Sequence, residues 1–394
     1  MKKFIALLCA GVMAASAAAC SSQAPSAAAS PEASTEAPAT EAPTEAPAAE
    51  APTEAPAAEL KVAVFYYTYS DAYISSVRAS LDEILNSGGV QYLNIDSNNN
   101  QATQNEQIDT AISQGYNLLV VNIVTSGSTD VAQQIIDKAS AAGIPVIFFN
   151  RALGVDNNEA PILAGYADSV FVGTNAPEAG HMQGQLIGEY LLANYEKTDL
   201  NSDGTISYAM FKGDEANVEA IYRTQYGQED ADAVLTAAGK PALSYFDPNN
   251  TNKYQVDMGG NWSAAAANEY MVTNLSQYNE SNGNMIELVI CNNDAMAEGV
   301  VSALNDSGYN LGTDDSKYIP VFGVDATDAA KQLIGEGKMT GTIKQDNVGM
   351  AEGIFFFIKN IQDGNPLTDG IGSFNTDPEI PTKVFIPYGV YTGE

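Results

Sequence analysis

Residues 61–67 read Lys61-Val62-Ala63-Val64-Phe65-Tyr66-Tyr67, and the amphipathic segment Ala72–Asn86 follows shortly after them. The first segment is almost continuously apolar, as in a parallel strand that is buried on both faces. The second has the periodicity of a helix with one buried side. Because this pair of segments recurs along the chain from Leu60 onward, the sequence predicts an α/β fold with helices on both faces of parallel sheets.

The repetition extends over most of the remaining chain. Predicted strands are Lys61–Tyr67, Val90–Ile95, Leu118–Asn122, Pro145–Phe149, Ile206–Phe211, Leu243–Phe246, Glu287–Cys291, Pro320–Gly323 and Gly341–Ile343. Predicted helices include Ala72–Asn86, Asn105–Gln114, Thr129–Ala142, Pro177–Tyr195 and Asp294–Asn305. These are more strands than one compact sheet uses, so we expect two doubly wound lobes.

Polar residues stand where the predicted strands end. They are Tyr67–Asp71, Asn122, Asn150–Arg151, Asn292–Asp294, Asp325 and Gln345–Asn347. In doubly wound sheets, ligands bind at the carboxyl ends of the strands. A cleft lined by these amides, carboxylates and aromatic rings has the chemistry of a sugar site.

The N-terminus has the pattern of an export signal at residues 1–19. Lys2 and Lys3 precede an apolar run and then small residues, and Cys20 follows Ala19 directly. This arrangement resembles a bacterial lipobox, which implies lipidation of Cys20 and an extracytoplasmic protein anchored to the membrane only by its lipid. An ordinary signal peptide with a chance cysteine is the alternative. The apolar run is shorter than the ~20 residues that span a bilayer.

Residues 20–59 combine the cysteine with a low-complexity segment of Ala, Pro, Thr, Ser and Glu. Repeated Pro and like-charged Glu predict a disordered, extended tether between the membrane and the folded part.

The overall charge is strongly acidic, with 17 Lys and Arg against 49 Asp and Glu and a net charge of −32. This excess repels phosphates and anionic lipid, which argues against nucleic acid or a membrane surface as partner. Cys9 lies in the signal and Cys291 in an apolar strand, so we expect no disulfide in the folded part and a buried thiol at Cys291.

Four segments resemble the periplasmic galactose/glucose-binding proteins of ABC sugar transport, which have the type I periplasmic binding protein fold. They are Phe65-Tyr66-Tyr67-Thr68-Tyr69-Ser70-Asp71-Ala72-Tyr73, Val146-Ile147-Phe148-Phe149-Asn150-Arg151, Cys291-Asn292-Asn293-Asp294-Ala295-Met296-Ala297 and Ile319-Pro320-Val321-Phe322-Gly323-Val324-Asp325-Ala326. The likeness runs in order from about Lys61 to Gly389. It implies a monomer that binds D-galactose or D-glucose and delivers it to the permease of an ABC transporter.

The resemblance also implies two lobes joined by a three-strand hinge, with crossings near Val172, Asp346 and Pro381. The N-terminal lobe then comprises residues 60–172 and 346–380, and the C-terminal lobe residues 173–345 and 381–394.

By the same resemblance, a pyranose is held between two aromatic rings, Tyr73 and Trp262, because a ring can cover the apolar C–H face of a hexose. The family's polar sugar ligands correspond to Asp71, Asn150, Asn217, Glu219, Arg223, Asn293, Asp325 and Gln345. Tyr73 replaces a family Phe, Asn217 a His and Gln345 an Asn. Without the resemblance, Trp262 is equally explained as a packing residue.

The segment Asp199-Leu200-Asn201-Ser202-Asp203-Gly204-Thr205-Ile206-Ser207 matches the first nine positions of an EF-hand loop, whose oxygens suit Ca²⁺. Met210 stands where such a loop has its bidentate Glu. The resemblance implies that Glu287 supplies this carboxylate to a structural Ca²⁺, with Asp199, Asn201, Asp203, the Thr205 carbonyl and Ser207. A metal-free Asx turn is the alternative.

The residues argue against an enzyme. His181 is the single histidine of the sequence, so neither a Ser-His-Asp triad nor a His-rich metal site can be assembled. Paired carboxylates such as Asp71 and Asp325 leave a glycosidase as an alternative. A sugar sensor serving a chemoreceptor or a histidine kinase is equally compatible with the fold.

Overall fold

A computed structural model describes residues 59–313 and 317–393. The predicted export signal, Cys20 and nearly all of the predicted tether lie outside the described residues. Among the described residues, no helix has the length and apolar character needed to cross a membrane.

The described chain alternates strands and helices, as the sequence pattern predicts. The strands are β1 (Lys61–Tyr66), β2 (Gln91–Asp96), β3 (Leu118–Val121), β4 (Val146–Phe149), β5 (Ser169–Gly173), β6 (Ser207–Lys212), β7 (Ser244–Tyr245), β8 (Gln255–Val256), β9 (Leu288–Cys291), β10 (Val321–Asp325), β11 (Gly341–Gln345), β12 (Asn375–Thr376), β13 (Lys383–Phe385) and β14 (Tyr388–Tyr391). The helices are α1 (Ala72–Ser87), α2 (Gln101–Ser113), α3 (Thr129–Ala142), α4 (Ala160–Ala164), α5 (Ala176–Thr198), α6 (Val218–Ala237), α7 (Ala264–Gln277), α8 (Asp294–Asp306), α9 (Asp328–Gly335) and α10 (Asn347–Gln362).

The strands form two sheets, one in each lobe. The first has the order β12-β13-β5-β4-β3-β1-β2, and the second has the order β14-β11-β10-β9-β6-β7, with β8 also paired to β6. Pairing is parallel except where β12 meets β13 and where β14 meets β11. The α/β fold with two parallel-sheet lobes is therefore confirmed.

Side chains of β1 show how a continuous apolar strand is buried on both faces. Val62, Val64 and Tyr66 pack into a cluster with residues of α1 and α10. Ala63 and Phe65 point to the other face, into a cluster with residues of α2 and α3. Since successive side chains of a strand alternate between faces, both faces of this strand require apolar residues.

The chain crosses between the lobes at three places. The first lies between Gly173, which ends β5, and Ala176, which begins α5 in the second lobe. The second is at Asp346, between β11 and α10. The third departs from the expected crossing near Pro381, because β13 is still paired with β5 in the first sheet and only β14 joins the second.

Residues 381–385 therefore belong to the first lobe and not to the second. The strands β5, β8, β12, β13 and β14 were absent from the predicted set. Most of them are short or partly polar, and their extended conformation is set by pairing with distant partners rather than by local pattern.

Candidate functional site

A cavity lies where the strand ends of the two lobes meet. It is lined by Tyr67, Asp71, Tyr73, Ile74, Asn150, Arg151, Asn217, Glu219, Arg223, Trp262, Asn293, Asp325 and Gln345. All ten residues predicted to contact a sugar are in this lining.

The two predicted aromatic residues are almost fully buried, with 5% of Tyr73 and 6% of Trp262 exposed. The Trp262 ring lies so close to Gly213 that a Cβ at Gly213 would overlap with it. Trp262 also has a φ of 56°, a conformation that non-glycine residues rarely adopt. The position of the ring is therefore held by tertiary packing.

Three of the polar residues cap helices whose N-termini reach the cavity. The side chain of Asp71 accepts from the Ile74 N–H at 2.8 Å at the start of α1. Asn217 caps α6 at 2.9 Å, and Asn293 caps α8 at 3.0 Å. The carbonyl oxygens of Asn217 and Asn293 are used in this way, so the part available to a ligand is the amide N–H groups of Asn217 and the one N–H of Asn293 that does not donate to the Trp262 carbonyl oxygen.

Arg223 is held from several directions. Its Nη1 donates to the Asn292 carbonyl oxygen at 2.9 Å, and its Nη2 donates to Gln345 Oε1 at 2.9 Å and to the Tyr388 hydroxyl at 3.3 Å. Its guanidinium lies 5.7 Å from the centre of the Trp262 ring. Burial opposes the charged form, but Tyr388 and Asp325 outweigh it and raise the pKa of Arg223.

Asp325 ends β10 as a carboxylate enclosed by the fold. Burial raises its pKa well above the usual value, against the opposing charge of Arg223, and the carboxyl groups of Asp294 and Asp71 raise it further. Its φ of 127° is also strained for a residue with a side chain. Backbone strain of this kind is concentrated at functional sites.

Five lining residues carry a buried polar atom that has no hydrogen-bond partner in the described part of the chain. These atoms are the Tyr73 hydroxyl, Trp262 Nε1, Arg151 Nε, Arg223 Nε and Gln345 Nε2. Four of them are N–H donors without acceptor capacity. Since buried polar groups in proteins are almost always bonded, this cavity is suited to a ligand rich in oxygen acceptors.

Glu219, on the first turn of α6 in the second lobe, forms hydrogen bonds to the first lobe. Its Oε1 accepts from the Ala152 N–H at 3.1 Å, and its Oε2 accepts from the Ser126 hydroxyl at 3.4 Å. Arg151 forms a second link, because its Nη2 lies 3.4 Å from Asp214 Oδ2. These contacts require the lobes to be closed around the cavity.

Three lining residues, Tyr67, Ile74 and Arg151, were absent from the predicted set. The Tyr67 hydroxyl donates to Asp71 Oδ2 at 2.6 Å, and the Arg151 guanidinium lies 4.1 Å from the centre of the Tyr67 ring. Tyr67 and Arg151 stand in the polar clusters at the strand ends, so position alone could have found them. Ile74 carries no such signal.

The loop from Asp199 to Ser207 folds as a compact turn between α5 and β6. The carboxylate of Asp199 accepts from the N–H groups of Asp203 at 3.1 Å and Gly204 at 2.9 Å. The Thr205 N–H donates to Asp203 Oδ1 at 2.8 Å. Gly204 has a φ of 84°, which a glycine adopts without strain.

Glu287 lies against this loop although it is distant in sequence. Its two oxygens accept from the N–H groups of Asn201 at 3.1 Å and Ser207 at 3.0 Å. Burial raises the pKa of Glu287, the backbone donors lower it, and nearby Asp199 raises it. The loop and Glu287 thus bring together side-chain and backbone oxygens, which are the donors that Ca²⁺ prefers.

This oxygen set depends on Asn201, Ser207 and the Thr205 carbonyl as well as on the acidic groups. Within residues 59–313 and 317–393, no group of three or more His, Cys, Asp or Glu side chains is arranged to hold a metal. The loop precedes β6, whereas the cavity lies beyond its other end, about 20 Å away for a six-residue strand. An ion here would be remote from the cavity.

Two other residues singled out in the sequence lie away from the cavity lining. Cys291 is fully buried, and burial raises the pKa of its thiol well above the usual value, so it is an unreactive core residue. His181 Nδ1 lies 2.7 Å from Asp230 Oδ2, and its ring stacks on Tyr226.

Comparisons with known proteins agree with this geometry. Residues 62–366 match the family described as periplasmic binding protein domain. The chain is 35% identical, over 330 residues, to the D-galactose/methyl-galactoside binding periplasmic protein of Haemophilus influenzae, covering 83% of this chain and 88% of that protein.

Solved structures with a similar fold include two ABC transporter solute-binding proteins. The protein from Clostridium phytofermentans with bound β-D-glucose has a TM-score of 0.62 at 21% identity, covering 84% of this chain and 94% of that one. The protein from Actinobacillus succinogenes with bound D-allose has a TM-score of 0.63 at 18% identity, covering 85% and 98%.

Proposed function

Because this chain belongs to the periplasmic binding protein family, we propose that it binds D-galactose or D-glucose in the interlobe cavity and delivers the sugar to an ABC importer. The family consists of solute-binding proteins that act outside the cytoplasm. We propose binding without catalysis as the chemistry of the cavity. Incubation with an aryl galactoside, expected to release no phenol, tests this last point.

The observation that carries the proposal is the composition of the cavity lining. It combines two buried aromatic side chains, Tyr73 and Trp262, with carboxylates, amides and two guanidinium groups. A hexose presents an apolar C–H face to a ring and hydroxyl groups at its edge, and each hydroxyl both donates and accepts. Such a ligand supplies oxygen acceptors to the buried N–H groups that lack a protein partner.

The charges of the lining argue against an anionic ligand. The three acidic residues Asp71, Glu219 and Asp325 outnumber Arg151 and Arg223 by one, so an anionic sugar would bury a further uncompensated negative charge in the closed cavity. Charge-assisted hydrogen bonds from these groups to neutral hydroxyls are short and strong. We therefore expect neutral hexoses to bind more tightly than uronic acids.

A titration of the protein with monosaccharides, followed by Trp262 emission and by the melting temperature, tests this function. Trp262 is the only tryptophan, so a change in its emission reports on the cavity itself. Galactose or glucose should change this emission and raise the melting temperature. At a hundredfold excess over Kd, the sugar should increase the free energy of unfolding by about 2.7 kcal/mol. Pentoses and disaccharides should do less. A larger effect of ribose would show the hexose assignment to be wrong.

We propose further that Cys20 is lipidated and holds the protein at the outer face of the cell membrane, with residues 21–59 as the tether. The support is the lipobox-like sequence that ends at Cys20 and the low-complexity segment that follows it.

We also propose that the loop from Asp199 to Ser207 binds a structural Ca²⁺. Asp199, Asn201, Asp203, Ser207, Glu287 and the carbonyl of Thr205 would hold the ion. When bound, the ion would neutralise the neighbouring carboxylates and fasten the start of β6 to the start of β9. The contacts of Glu287 with the Asn201 and Ser207 N–H groups support this assignment.

Melting curves in chelator and in calcium test the proposed Ca²⁺ site. We expect chelator to lower the melting temperature and calcium to restore it, and Asp203→Ala or Glu287→Ala to abolish that response. Asp247→Ala is the matched control, because Asp247 also accepts from the backbone of a turn in this lobe but lies outside the loop. If the wild-type protein melts identically in both solutions, the loop is a turn without metal.

A further inference from the structure

We infer that Asn99 positions Trp262 in the closed protein by holding, from the opposite lobe, the loop that carries the tryptophan. Asn99 follows β2 in the first lobe. Its Nδ2 donates to the carbonyl oxygen of Gly259 at 3.1 Å and to Asn261 Oδ1 at 3.3 Å, both in the loop 258–262 of the second lobe. This inference rests on the proposed function, since it assigns a positioning residue to the same site.

Asn99 is itself anchored to the cavity wall of the first lobe. Its backbone N–H donates to the carbonyl oxygen of Tyr67 at 2.7 Å, and Tyr67 lines the cavity. The φ of Asn99 is 53°, a left-handed conformation that asparagine tolerates better than most residues. The side chain is thus presented to the other lobe from a defined backbone position.

The tryptophan loop is fastened to its own lobe at its two ends. Asp257 Oδ1 accepts from the Gly259 N–H at 2.9 Å, and Asp257 Oδ2 accepts from the Ser263 N–H at 3.0 Å. Asn293 Nδ2 donates to the Trp262 carbonyl oxygen at 3.2 Å. Between these points, at Gly259 and Asn261, the contact with Asn99 joins the loop to the first lobe.

Two hydrogen bonds that exist only when the lobes meet connect closure to the orientation of Trp262. The Asn99 amide is suited to this contact because it offers two N–H groups to two oxygen acceptors. Aspartate has the same shape but would place its acceptor oxygens against these two oxygens. We therefore expect Asn99 to influence how firmly Trp262 covers a bound sugar, without contacting the sugar itself.

Substitution of Asn99, with substitution of its neighbour Asn98 as the matched control, tests this role. Asn99→Ala is compared with Asn98→Ala, because Asn98 has nearly the same φ, 51°, but its side chain makes no hydrogen bond to the second lobe among the described residues. Asn99→Asp is the second variant, in case alanine impairs folding. Acrylamide quenching of Trp262 is measured without ligand and with saturating galactose, together with the rate of galactose dissociation.

With saturating galactose, we expect stronger quenching of Trp262 in Asn99→Ala and Asn99→Asp than in Asn98→Ala. Galactose should also dissociate about fivefold faster from the two Asn99 variants. The melting temperatures of Asn99→Ala and Asn98→Ala without ligand should agree. Equal quenching in all variants would overturn the inference. If the wild type responds to neither galactose nor glucose, the proposed function fails, and the inference that rests on it fails as well; equal quenching of all variants when the wild type does respond overturns the inference alone.

Discussion

At the residue scale, folding removes the Tyr73 hydroxyl from water without supplying a partner among the described residues. Burial raises the pKa of this hydroxyl well above its usual value, so it stays protonated and can donate. The hydroxyl of Tyr66 in β1 is also buried without a hydrogen-bond partner among the described residues, but Tyr66 lies outside the cavity lining. These two tyrosines form a natural comparison.

Tyr73→Phe should leave the ring in place and remove the hydroxyl. We expect sugar affinity to fall about fivefold, because the ligand loses one hydrogen bond of about 1 kcal/mol in a buried site. Stability without ligand should be unchanged or slightly higher, since an unpaired polar group is removed. Calorimetric titration and thermal melting measure the two quantities.

Tyr66→Phe is the control for this substitution. It should raise stability to a similar small extent and leave sugar affinity unchanged. An unaltered affinity in Tyr73→Phe would mean that the ligand does not satisfy this hydroxyl.

At the scale of elements, the site depends on how closely α5 packs against α6. Gly180, Gly184 and Gly188 lie four residues apart on α5, and a Cβ on any of them would overlap with α6. At Gly184 the overlap is with the carbonyl oxygen of Tyr226, which belongs to the backbone and cannot rotate away. Because α6 carries Glu219 and Arg223, this packing also places two residues of the cavity.

Gly184→Ala should therefore force the helices apart and lower the free energy of unfolding by about 1–3 kcal/mol, the usual cost of overpacking. Sugar affinity should fall as well, since Arg223 moves with α6. Urea denaturation measures the first effect. In the control Gly335→Ala, on α9, the added Cβ meets no described atom within 4 Å, so stability should be kept or slightly increased. Equal stability of the two variants would contradict this view of the interface.

At the scale of the whole molecule, the cavity is complete only when the lobes are closed. Asp71, Tyr73 and Asn150 come from the first lobe, whereas Arg223 and Trp262 come from the second. The bond from the Ala152 N–H to Glu219 and the ion pair of Arg151 with Asp214 also span the cleft. A ligand that contacts both lobes therefore favours the closed form over an open one.

Small-angle scattering on the protein from Leu60 onward tests closure. Saturating galactose should reduce the radius of gyration. Asp325→Ala should show a smaller reduction at the same sugar concentration, because it leaves the buried charge of Arg223 less well paired and weakens binding by about 1–3 kcal/mol. An unchanged radius of gyration in the sugar-saturated wild type would argue against hinge closure as the signal read by a transporter.

Much of this organisation could be predicted from local sequence. The apolar run of β1 and the helix that follows it are specified by periodicity, because burial on both faces requires continuous apolar residues. Ten of the thirteen residues of the cavity lining were predictable because parallel strands place their carboxyl ends at one edge, and because their motifs resemble a known family. The oxygen spacing from Asp199 onward predicted a loop, and a compact turn lies there, whereas the binding of Ca²⁺ by this loop stays a prediction.

Other features depend on contacts between residues far apart in sequence, which no local pattern encodes. The pairing of β13 with β5 and of β14 with β11 determines where the chain crosses between lobes, so the last crossing follows Phe385 and not Pro381. Asn99 likewise reaches Gly259 of the tryptophan loop, 160 residues away. Local periodicity determined most elements of this protein, whereas strand pairing and contact between the lobes fixed the remaining strands and decided which side chains share the cavity.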